Sequence, residues 1–319
     1  MQPAVDNAET PIVSPRSKPP KTSFGRTALS VAAVPLGAVY GAALAFRLYH
    51  PPRRKHHRRP EDFGLAATDS TVEYEPGKHI HVWLCPGSPD RVVVLGHGIG
   101  MSKSASLAHA KFLHAAGYTV CLFDHRNHGA SGTDRRLRKL SEHLTTDIVA
   151  VVSMLRETAT YRSAKVALYG FSFSTYPSVY SLTRDGFTVD AIVCDSGPGD
   201  DARDVFESFL ASGGLPVPGL LAGRPARTAV GAAMSTTALA MLGADWPPPL
   251  NADYESVPAL LIVGGRDRII SAVSVETFAA RYPRFRTLVL PHAEHLSGLK
   301  ADPKTYTEAV LDFLDHELR

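Results

Sequence analysis

Short apolar runs alternate with stretches of helical spacing over residues 70–319, and this alternation constrains the fold more than any other feature. The runs at 91–95 and 259–263 are almost wholly apolar, as expected of strands that are buried on both faces. Strands that alternate with helices predict a mainly parallel sheet with helices on both sides. We therefore predict an α/β fold whose doubly wound, mostly parallel sheet has about eight strands.

The alternation is interrupted once, between the apolar run that ends near Cys194 and the run that begins near Ala259. This connection contains Gly, Pro and short amphipathic pieces, and it is much longer than an ordinary link between a strand and a helix. We predict that residues 198–256, approximately, form a helical cap inserted into the domain.

The N-terminal part of the chain differs in composition. Residues 1–60 carry ten Lys and Arg against two acidic residues, a net charge of +8, which leaves −5 for the rest of the chain. Residues 1–23 are rich in Pro and Ser and are predicted to be a disordered tail. Residues 27–46 contain no charge over about 30 Å of helix, the thickness of a bilayer's hydrocarbon core. We therefore predict a transmembrane anchor within residues 24–49 and a basic linker over residues 50–69.

Basic residues beside this segment predict its orientation. They are denser after the segment than before it, and such residues stay on the cytoplasmic side of a single-pass membrane protein. We expect the C-terminal domain in the cytoplasm, and the three cysteines in or beside apolar runs agree with a reducing compartment. The alternatives are a cleaved signal peptide, with Ala43 and Ala45 near the cleavage site, and a peripheral segment. Gly37 and Gly41 would let two such helices pack closely.

A serine lies where the pattern predicts a sharp turn from strand to helix. Gly170, Ser172 and Ser174 follow the apolar run at 165–169 and precede a helical stretch. A nucleophile on such a turn needs small residues two positions before and after it, and the usual pattern is G-x-S-x-G. Here Ser174 replaces the last Gly. Taken alone, the pattern also fits a helix that begins with a serine cap.

Three further segments supply the other groups that acyl transfer requires. The turn HGIG at 97–100 follows one predicted strand, and its glycines let backbone N–H groups turn toward a developing oxyanion. Asp267 and His295 each follow a later predicted strand. The order Ser, Asp, His along the chain is that of a catalytic triad at the edge of a parallel sheet.

Together these segments resemble the α/β-hydrolase superfamily over residues 70–319. The segment DHRNHGAS at 124–131 is similar to the superfamily's D-x-R-G-x-G-x-S, and GGRDRII and PHAEHLSGL are similar to its acid and base segments. Asn127 and His292 stand where the superfamily often has Gly. The resemblance implies an α/β-hydrolase fold and an acyl-enzyme mechanism.

The resemblance also implies a role for each residue. Ser172 would attack a carbonyl carbon, His295 would take its proton and later return one, and Asp267 would hold the imidazole tautomer. The backbone N–H groups of Ile99 and Phe173 would form the oxyanion hole.

Neighbouring residues offer other assignments. His292 is a second candidate for the base, and Asp195, which follows a predicted strand, is a second candidate for the acid. His125 and His128 form a potential metal pair, but no cluster of Cys, Asp or Glu completes such a site in the sequence. We therefore expect no metal and no cofactor.

The predicted function is that of a serine hydrolase acting on carboxylic esters or thioesters. A cap rich in apolar residues beside a membrane favours lipophilic acyl substrates. The expected partners are a small ester or lipid substrate and a membrane, whereas the overall charge gives no indication of nucleic acid. Two alternatives remain, a serine peptidase or amidase of the same fold and a catalytically silent scaffold.

Overall fold

The structure, a computed structural model, describes residues 32–319. Eight strands form one sheet: β1 (Thr68–Glu75), β2 (Lys78–Cys85), β3 (Ser88–Gly96), β4 (Tyr118–Phe123), β5 (Lys165–Phe171), β6 (Ala191–Asp195), β7 (Ala259–Gly264) and β8 (Phe285–Leu290). Their spatial order is β1-β2-β4-β3-β5-β6-β7-β8. The pairs β1–β2 and β2–β4 are antiparallel and all other neighbouring pairs are parallel. The predicted, mostly parallel sheet of about eight strands is confirmed.

Helices precede the sheet, connect its strands and end the chain. They are α1 (Val34–Tyr49), α2 (Leu107–Ala115), α3 (Leu140–Glu157), α4 (Thr175–Tyr180), α5 (Ala202–Ala211), α6 (Arg224–Leu242), α7 (Ala252–Ser256), α8 (Ala272–Ala279), α9 (Gly298–Ala301) and α10 (Pro303–Glu317). The three cysteines, Cys85, Cys121 and Cys194, lie buried in β2, β4 and β6 with free thiols.

Side chains alternate between two cores, one on each face of the sheet. In β3, Val92 and Val94 pack into one core, whereas Val93 and Leu95 pack into the other. Helices α3, α4 and α8 cover the first face, and α2 and α10 cover the second. Both faces are therefore buried, which explains why the central strands are apolar throughout. Each fully buried Val or Leu side chain contributes about 1.5–3 kcal/mol to stability.

Parallel pairing brings the loops of the predicted site to one edge of the sheet. Gly96, the last residue of β3, pairs with Gly170 near the end of β5, and Gly264 at the end of β7 pairs with Leu290 at the end of β8. Because these strands end at the same level, the loops that follow them begin close together. These loops carry every residue predicted for the triad and the oxyanion hole.

The segment between β6 and β7 leaves the sheet and forms α5, α6 and the short α7. We call residues 198–256 the cap. Pro225 occupies the first turn of α6, and Gly243 ends the helix with a φ of 60°, a conformation that glycine adopts without strain. Helices α5 and α6 pack against each other.

Helix α1 packs along α6 of the cap. A Cβ atom at Gly37 would lie 2.8 Å from the carbonyl oxygen of Ala226, and one at Gly41 would collide with the carbonyl oxygen of Val230. Only glycine allows this approach of the two helices. Leu48, on the same helix, is buried in the cluster that α1 and α6 share. The two glycines therefore pack against the chain's own cap, whereas the sequence suggested pairing with a second copy.

The prediction of a transmembrane helix is not supported by the part of the chain that the structure describes. Residues 1–31, which include the predicted tail and the start of the predicted anchor, lie outside the described residues. Helix α1 has 16 residues. Over residues 32–319, no helix combines the length and the apolar character that a membrane crossing requires. The sequence pattern showed an uncharged run, but it did not show that its small-residue face has a partner within the same chain.

Candidate active site

Ser172 stands on a strained turn between β5 and α4. Its φ is 48°, in the left-handed region that a non-glycine residue adopts only at an energetic cost. Gly170 is required beside it, because a Cβ atom there would lie 2.7 Å from the carbonyl oxygen of Ser174. Ser174, which replaces the usual glycine, is fully buried, and its hydroxyl lies 2.9 Å from Nε2 of His125. The departure from the sequence pattern is therefore accommodated by a buried hydrogen bond.

The structure brings Ser172, His295 and Asp267 together in one row of hydrogen bonds. Ser172 Oγ lies 2.8 Å from His295 Nε2, and His295 Nδ1 lies 2.7 Å from Asp267 Oδ2. The other carboxylate oxygen of Asp267 accepts hydrogen bonds from the backbone N–H groups of Ile269 and Ile270, at 2.8 and 3.0 Å. A carboxylate accepts only, so Nδ1 carries the proton and Nε2 is free to accept one from the Ser172 hydroxyl.

His292, the other candidate for the base, lies elsewhere. Its side chain is exposed, and its Nδ1 is 3.5 Å from the guanidinium of Arg266. Its position three residues before His295 therefore does not bring it to the Ser172 hydroxyl.

Asp195, the other candidate for the acid, is buried and is bound to different groups. Its carboxylate accepts hydrogen bonds from the hydroxyls of Tyr306, at 2.5 Å, and Ser196, at 2.8 Å. Burial raises the pKa of Asp195. Ser196 Oγ in turn accepts the backbone N–H of Leu296 at 2.8 Å. Asp195 therefore supports the loop that carries His295 and does not contact its imidazole.

Ile99 and Phe173, the residues predicted for the oxyanion hole, line the same cavity as Ser172. Phe173 follows Ser172 in the first turn of a short helix, where backbone N–H groups have no partner within the helix. Next to Ile99, the N–H of Gly100 donates to His128 Nε2 at 3.0 Å. His128 Nδ1 lies 2.9 Å from the carbonyl oxygen of Arg126, so Nδ1 donates while Nε2 accepts.

These bonds require a neutral ring at position 128. Burial lowers the pKa of His128 to about 3, and burial also lowers the pKa of His125. His128 thus fixes the HGIG turn, and His125 bonds Ser174, so both residues of the potential metal pair hold structural hydrogen bonds. Residues 32–319 contain no group of three or more His, Cys, Asp and Glu side chains arranged to hold a metal ion.

Asp124 connects the loop after β4 to Lys103 and His56 through hydrogen bonds of its carboxylate. Its carboxylate accepts hydrogen bonds from Lys103 Nζ at 2.6 Å, from His56 Nε2 at 2.8 Å and from the N–H of Ala130 at 3.0 Å. Burial alone would raise the pKa of Asp124, but the His56 hydrogen bond and the Lys103 charge hold it below its usual range. Gly129, with a φ of 46°, is needed because any Cβ atom there would collide with this carboxylate.

Asn127 also departs from the superfamily pattern, and the structure gives the reason. Its φ is 64°, which Asn tolerates better than most residues. Its Nδ2 donates to the carbonyl oxygen of Tyr49 at 3.2 Å, and its Oδ1 accepts the N–H of Asp134 at 2.7 Å. Asn127 therefore joins the end of α1 to the loop beside the candidate active site.

An apolar cavity opens onto Ser172. Its walls come from α1, α3, α4, the turns that follow β3, β5 and β7, and the cap, and none of its lining residues within the described chain is charged. Helix α1 supplies Leu48 and Tyr49. The cap supplies Ala202, Val205, Phe206, Phe209, Leu239, Leu242, Ala244 and Trp246. We call this space the apolar cavity.

Sequence reasoning missed the contribution of α1. It interpreted residues 24–49 as an anchor, so Leu48 and Tyr49 were not expected in a cavity. The signal was present in Gly37 and Gly41, whose spacing indicates a close helix contact but does not name the partner. No sequence signal pointed to the bond between His128 and Gly100.

Comparisons with known proteins agree with the fold. A model of the alpha/beta hydrolase family matches residues 92–309. A solved esterase from Pyrococcus furiosus is 22% identical, with a TM-score of 0.67, over 86% of this chain and 99% of that chain. An esterase from Exiguobacterium antarcticum is 18% identical, with a TM-score of 0.57, over 78% of this chain and 100% of that chain. An epoxide hydrolase from Vigna radiata is 18% identical, with a TM-score of 0.54, over 78% of this chain and 98% of that chain. Such identities show similarity of fold alone.

Proposed function

We propose that this chain, which belongs to the alpha/beta hydrolase family, is a serine hydrolase that cleaves carboxylic esters or thioesters. The observation that supports this most directly is the hydrogen-bonded row Ser172–His295–Asp267 at the mouth of an apolar cavity. The proton positions in this row suit transfer from the serine hydroxyl to the imidazole. The epoxide hydrolase among the similar structures is a reminder that the fold by itself hosts several reactions.

The proposed reaction has two halves. Ser172 Oγ attacks the carbonyl carbon while His295 Nε2 takes its proton, and the N–H groups of Ile99 and Phe173 stabilise the negative oxygen. His295 then protonates the departing alcohol or thiol, which leaves an acyl group on Ser172. Water, activated by the same imidazole, releases the acid and restores the hydroxyl.

We propose lipophilic acyl groups as the substrate class. The support is the apolar cavity, in which an aliphatic chain is stabilised by about 0.8 kcal/mol for each CH₂ group that is buried. A peptidase of the same fold is the alternative. A peptide would bring backbone N–H and C=O groups into these walls, where polar partners are scarce.

The assignment of Ser172 is tested by activity-based labelling. Wild-type protein should react with a fluorophosphonate probe, and Ser172→Ala should not, because the probe bonds only to an activated serine. Ser174→Ala is the matched control, since Ser174 is buried two residues away, and it should retain labelling. Labelling of folded Ser172→Ala would contradict the proposal, and an unreactive wild-type chain would favour the silent scaffold.

The substrate class is tested with p-nitrophenyl esters of increasing chain length and with peptide amides. We expect kcat/KM to rise with acyl length until the cavity is filled. Good cleavage of peptides together with uniformly poor cleavage of esters would instead identify a peptidase.

We further propose that the enzyme works at a membrane on its cytoplasmic side. The outer face of α1 exposes Leu36 and Val39, at 53% and 69%, and the basic linker follows the helix. An apolar face beside basic residues suits an anionic lipid surface. The full chain should sediment with phosphatidylserine vesicles, and Val39→Asp should weaken this. Equal recovery with and without vesicles would refute it.

A further inference from the structure

A second cavity borders the apolar cavity. The two share three lining residues, Leu48, Ile99 and Phe209. The walls of the second cavity also include Arg47 at the end of α1 and Arg53 and Arg54 of the linker. Among the residues that the structure describes, no acidic side chain lines it. We call it the cationic cavity.

The three arginines have no acidic partner within residues 32–319. None of them forms an ion pair there, and all three are exposed. Arg53 donates to the hydroxyl of Thr133 at 2.5 Å, which leaves other N–H groups of the guanidinium available. Guanidinium groups bind phosphate oxygens through paired, charge-assisted hydrogen bonds, so this arrangement suits a phosphate ester.

The part of the linker that carries Arg53 and Arg54 is held on both sides, at Tyr49 and at His56, by the loop after β4. Asn127 bonds the carbonyl oxygen of Tyr49 at 3.2 Å, and Asp124 bonds His56 at 2.8 Å. Pro51 and Pro52 restrict the backbone between these two points. Arg53 and Arg54 therefore lie on a segment with few conformations, which lowers the entropic cost of binding an anion.

We infer that the cationic cavity binds a phosphate group on the leaving-group side of the scissile bond. The inference rests on the proposed function and adds to it. The acyl side does not suit the anion, because the apolar cavity offers no charged partner and removing an anion from water is costly. Ile99, a proposed oxyanion donor, lies where the two cavities meet. The scissile carbonyl at Ser172 would thus have its acyl chain in one cavity and its phosphate-bearing alcohol or thiol in the other.

Atoms balance in the same way as in the proposed reaction. The ester C–O or thioester C–S bond breaks, the leaving oxygen or sulfur takes the proton from His295, and the phosphate remains intact. Two kinds of molecule supply this chemistry, an acylglycerol phosphate and an acyl thioester of a phosphate-bearing carrier such as coenzyme A. Each has a close analogue without the phosphate.

The experiment compares kcat/KM within two matched pairs that carry the same octanoyl chain, on full-length protein. One pair is 1-octanoylglycerol 3-phosphate and 1-octanoylglycerol, and the other is octanoyl coenzyme A and octanoyl pantetheine. In at least one pair we expect kcat/KM to be about ten- to hundredfold higher for the phosphate-bearing member. This is the ratio that one or two charge-assisted hydrogen bonds to the phosphate would produce. The preferred pair identifies the source of the phosphate.

Two double variants assign the preference to the cavity. Arg47→Gln with Arg54→Gln should lower it and leave the rate on the neutral analogue unchanged, because these side chains are exposed and form no hydrogen bond with Ser172, His295 or Asp267. Lys55→Gln with Arg58→Gln, in the same linker but outside the cavity lining, should retain it.

Three outcomes overturn the inference. Equal rates within both pairs refute it and leave the serine hydrolase proposal intact. A preference that loss of Arg47 and Arg54 does not diminish places the anion elsewhere. Failure to cleave any of the four compounds, together with failure of Ser172 to react with a fluorophosphonate, refutes the proposed function and this inference with it.

Discussion

The imidazole of His295 makes two hydrogen bonds, and together they determine which nitrogen carries the proton. Other single residues near His295 are also held in one conformation. Ser172 is held at a φ of 48°, and the neutral ring of His128 holds the HGIG turn. At this scale the site depends less on which residues are present than on how each is oriented by a hydrogen bond from another segment of the chain.

Substitutions of the two buried aspartates test which of them acts on the imidazole of His295 and which supports the surrounding loop. Asp267→Asn should lower kcat by about 10⁴-fold, because an amide that donates to Nδ1 favours the wrong tautomer. Asp195→Asn should cost less than about tenfold, since it alters a supporting hydrogen bond worth about 1 kcal/mol. Steady-state kinetics on a p-nitrophenyl ester measure both. The reverse order of effects would move the acid to Asp195.

At the scale of elements, α1 has a function that its composition conceals. Its inner face brings glycines against the backbone of α6, and its C-terminal end places Leu48 and Tyr49 in the wall of the apolar cavity. The cap alone therefore does not enclose the cavity. The twenty-residue uncharged run is compatible with both a transmembrane helix and a helix packed against the protein. Hydropathy indicates that a segment is buried, but it does not indicate whether lipid or protein surrounds it.

Replacement of one glycine tests whether the packing of α1 against α6 shapes the apolar cavity. Gly41→Ala should displace α1 from α6, lower the free energy of unfolding by about 1–3 kcal/mol and reduce activity on long acyl esters more than on short ones. Urea unfolding and a chain-length series measure these effects. Ala43→Leu, on the exposed face of the same helix, is the control and should change neither. Indistinguishable behaviour of the two variants would show that the contact is unimportant.

At the scale of the whole molecule, the fold buries several imidazoles, and this links stability to pH. Burial lowers the pKa of His128 to about 3 and also lowers the pKa of His97 and His125. The folded chain keeps these rings neutral, whereas the unfolded chain protonates them below about pH 6.5. Stability is therefore complete above about pH 6.5 and is lost as the pH falls toward the folded pKa.

The pH dependence follows from one of these rings. His128 alone should lower the free energy of unfolding by about 2 kcal/mol between about pH 7.5 and about pH 5. Urea unfolding at both pH values measures this. In His128→Asn the decrease should be smaller by about that amount, while His57→Asn, at an exposed position, should behave as wild type. Equal pH dependence in His128→Asn and wild type would show that the ring is protonated in the folded state.

The sequence by itself determined the strands of the sheet and the strand ends that carry the candidate site residues. Periodicity marks which residues are buried, and strand ends after RVVVL, KVALY and ALLIVGG carry Gly, Ser and Asp at one edge. Only the tertiary structure decided which histidine bonds Ser172 and which aspartate bonds that histidine. His292 and His295 differ by three positions in one loop, and the path of that loop depends on Asp195, Ser196 and Tyr306, which no local pattern connects.

The tertiary structure also decided what α1 contacts and which side chains form the two cavities. The spacing of Gly37 and Gly41 indicates a close contact between helices, but the partner helix lies nearly two hundred positions later in the chain. Long-range partners are selected by the shape of the whole surface, on which local periodicity carries no information. The division into a basic N-terminal region and a mildly acidic domain was therefore visible in the sequence, whereas the joining of the two around one cavity was visible only in three dimensions.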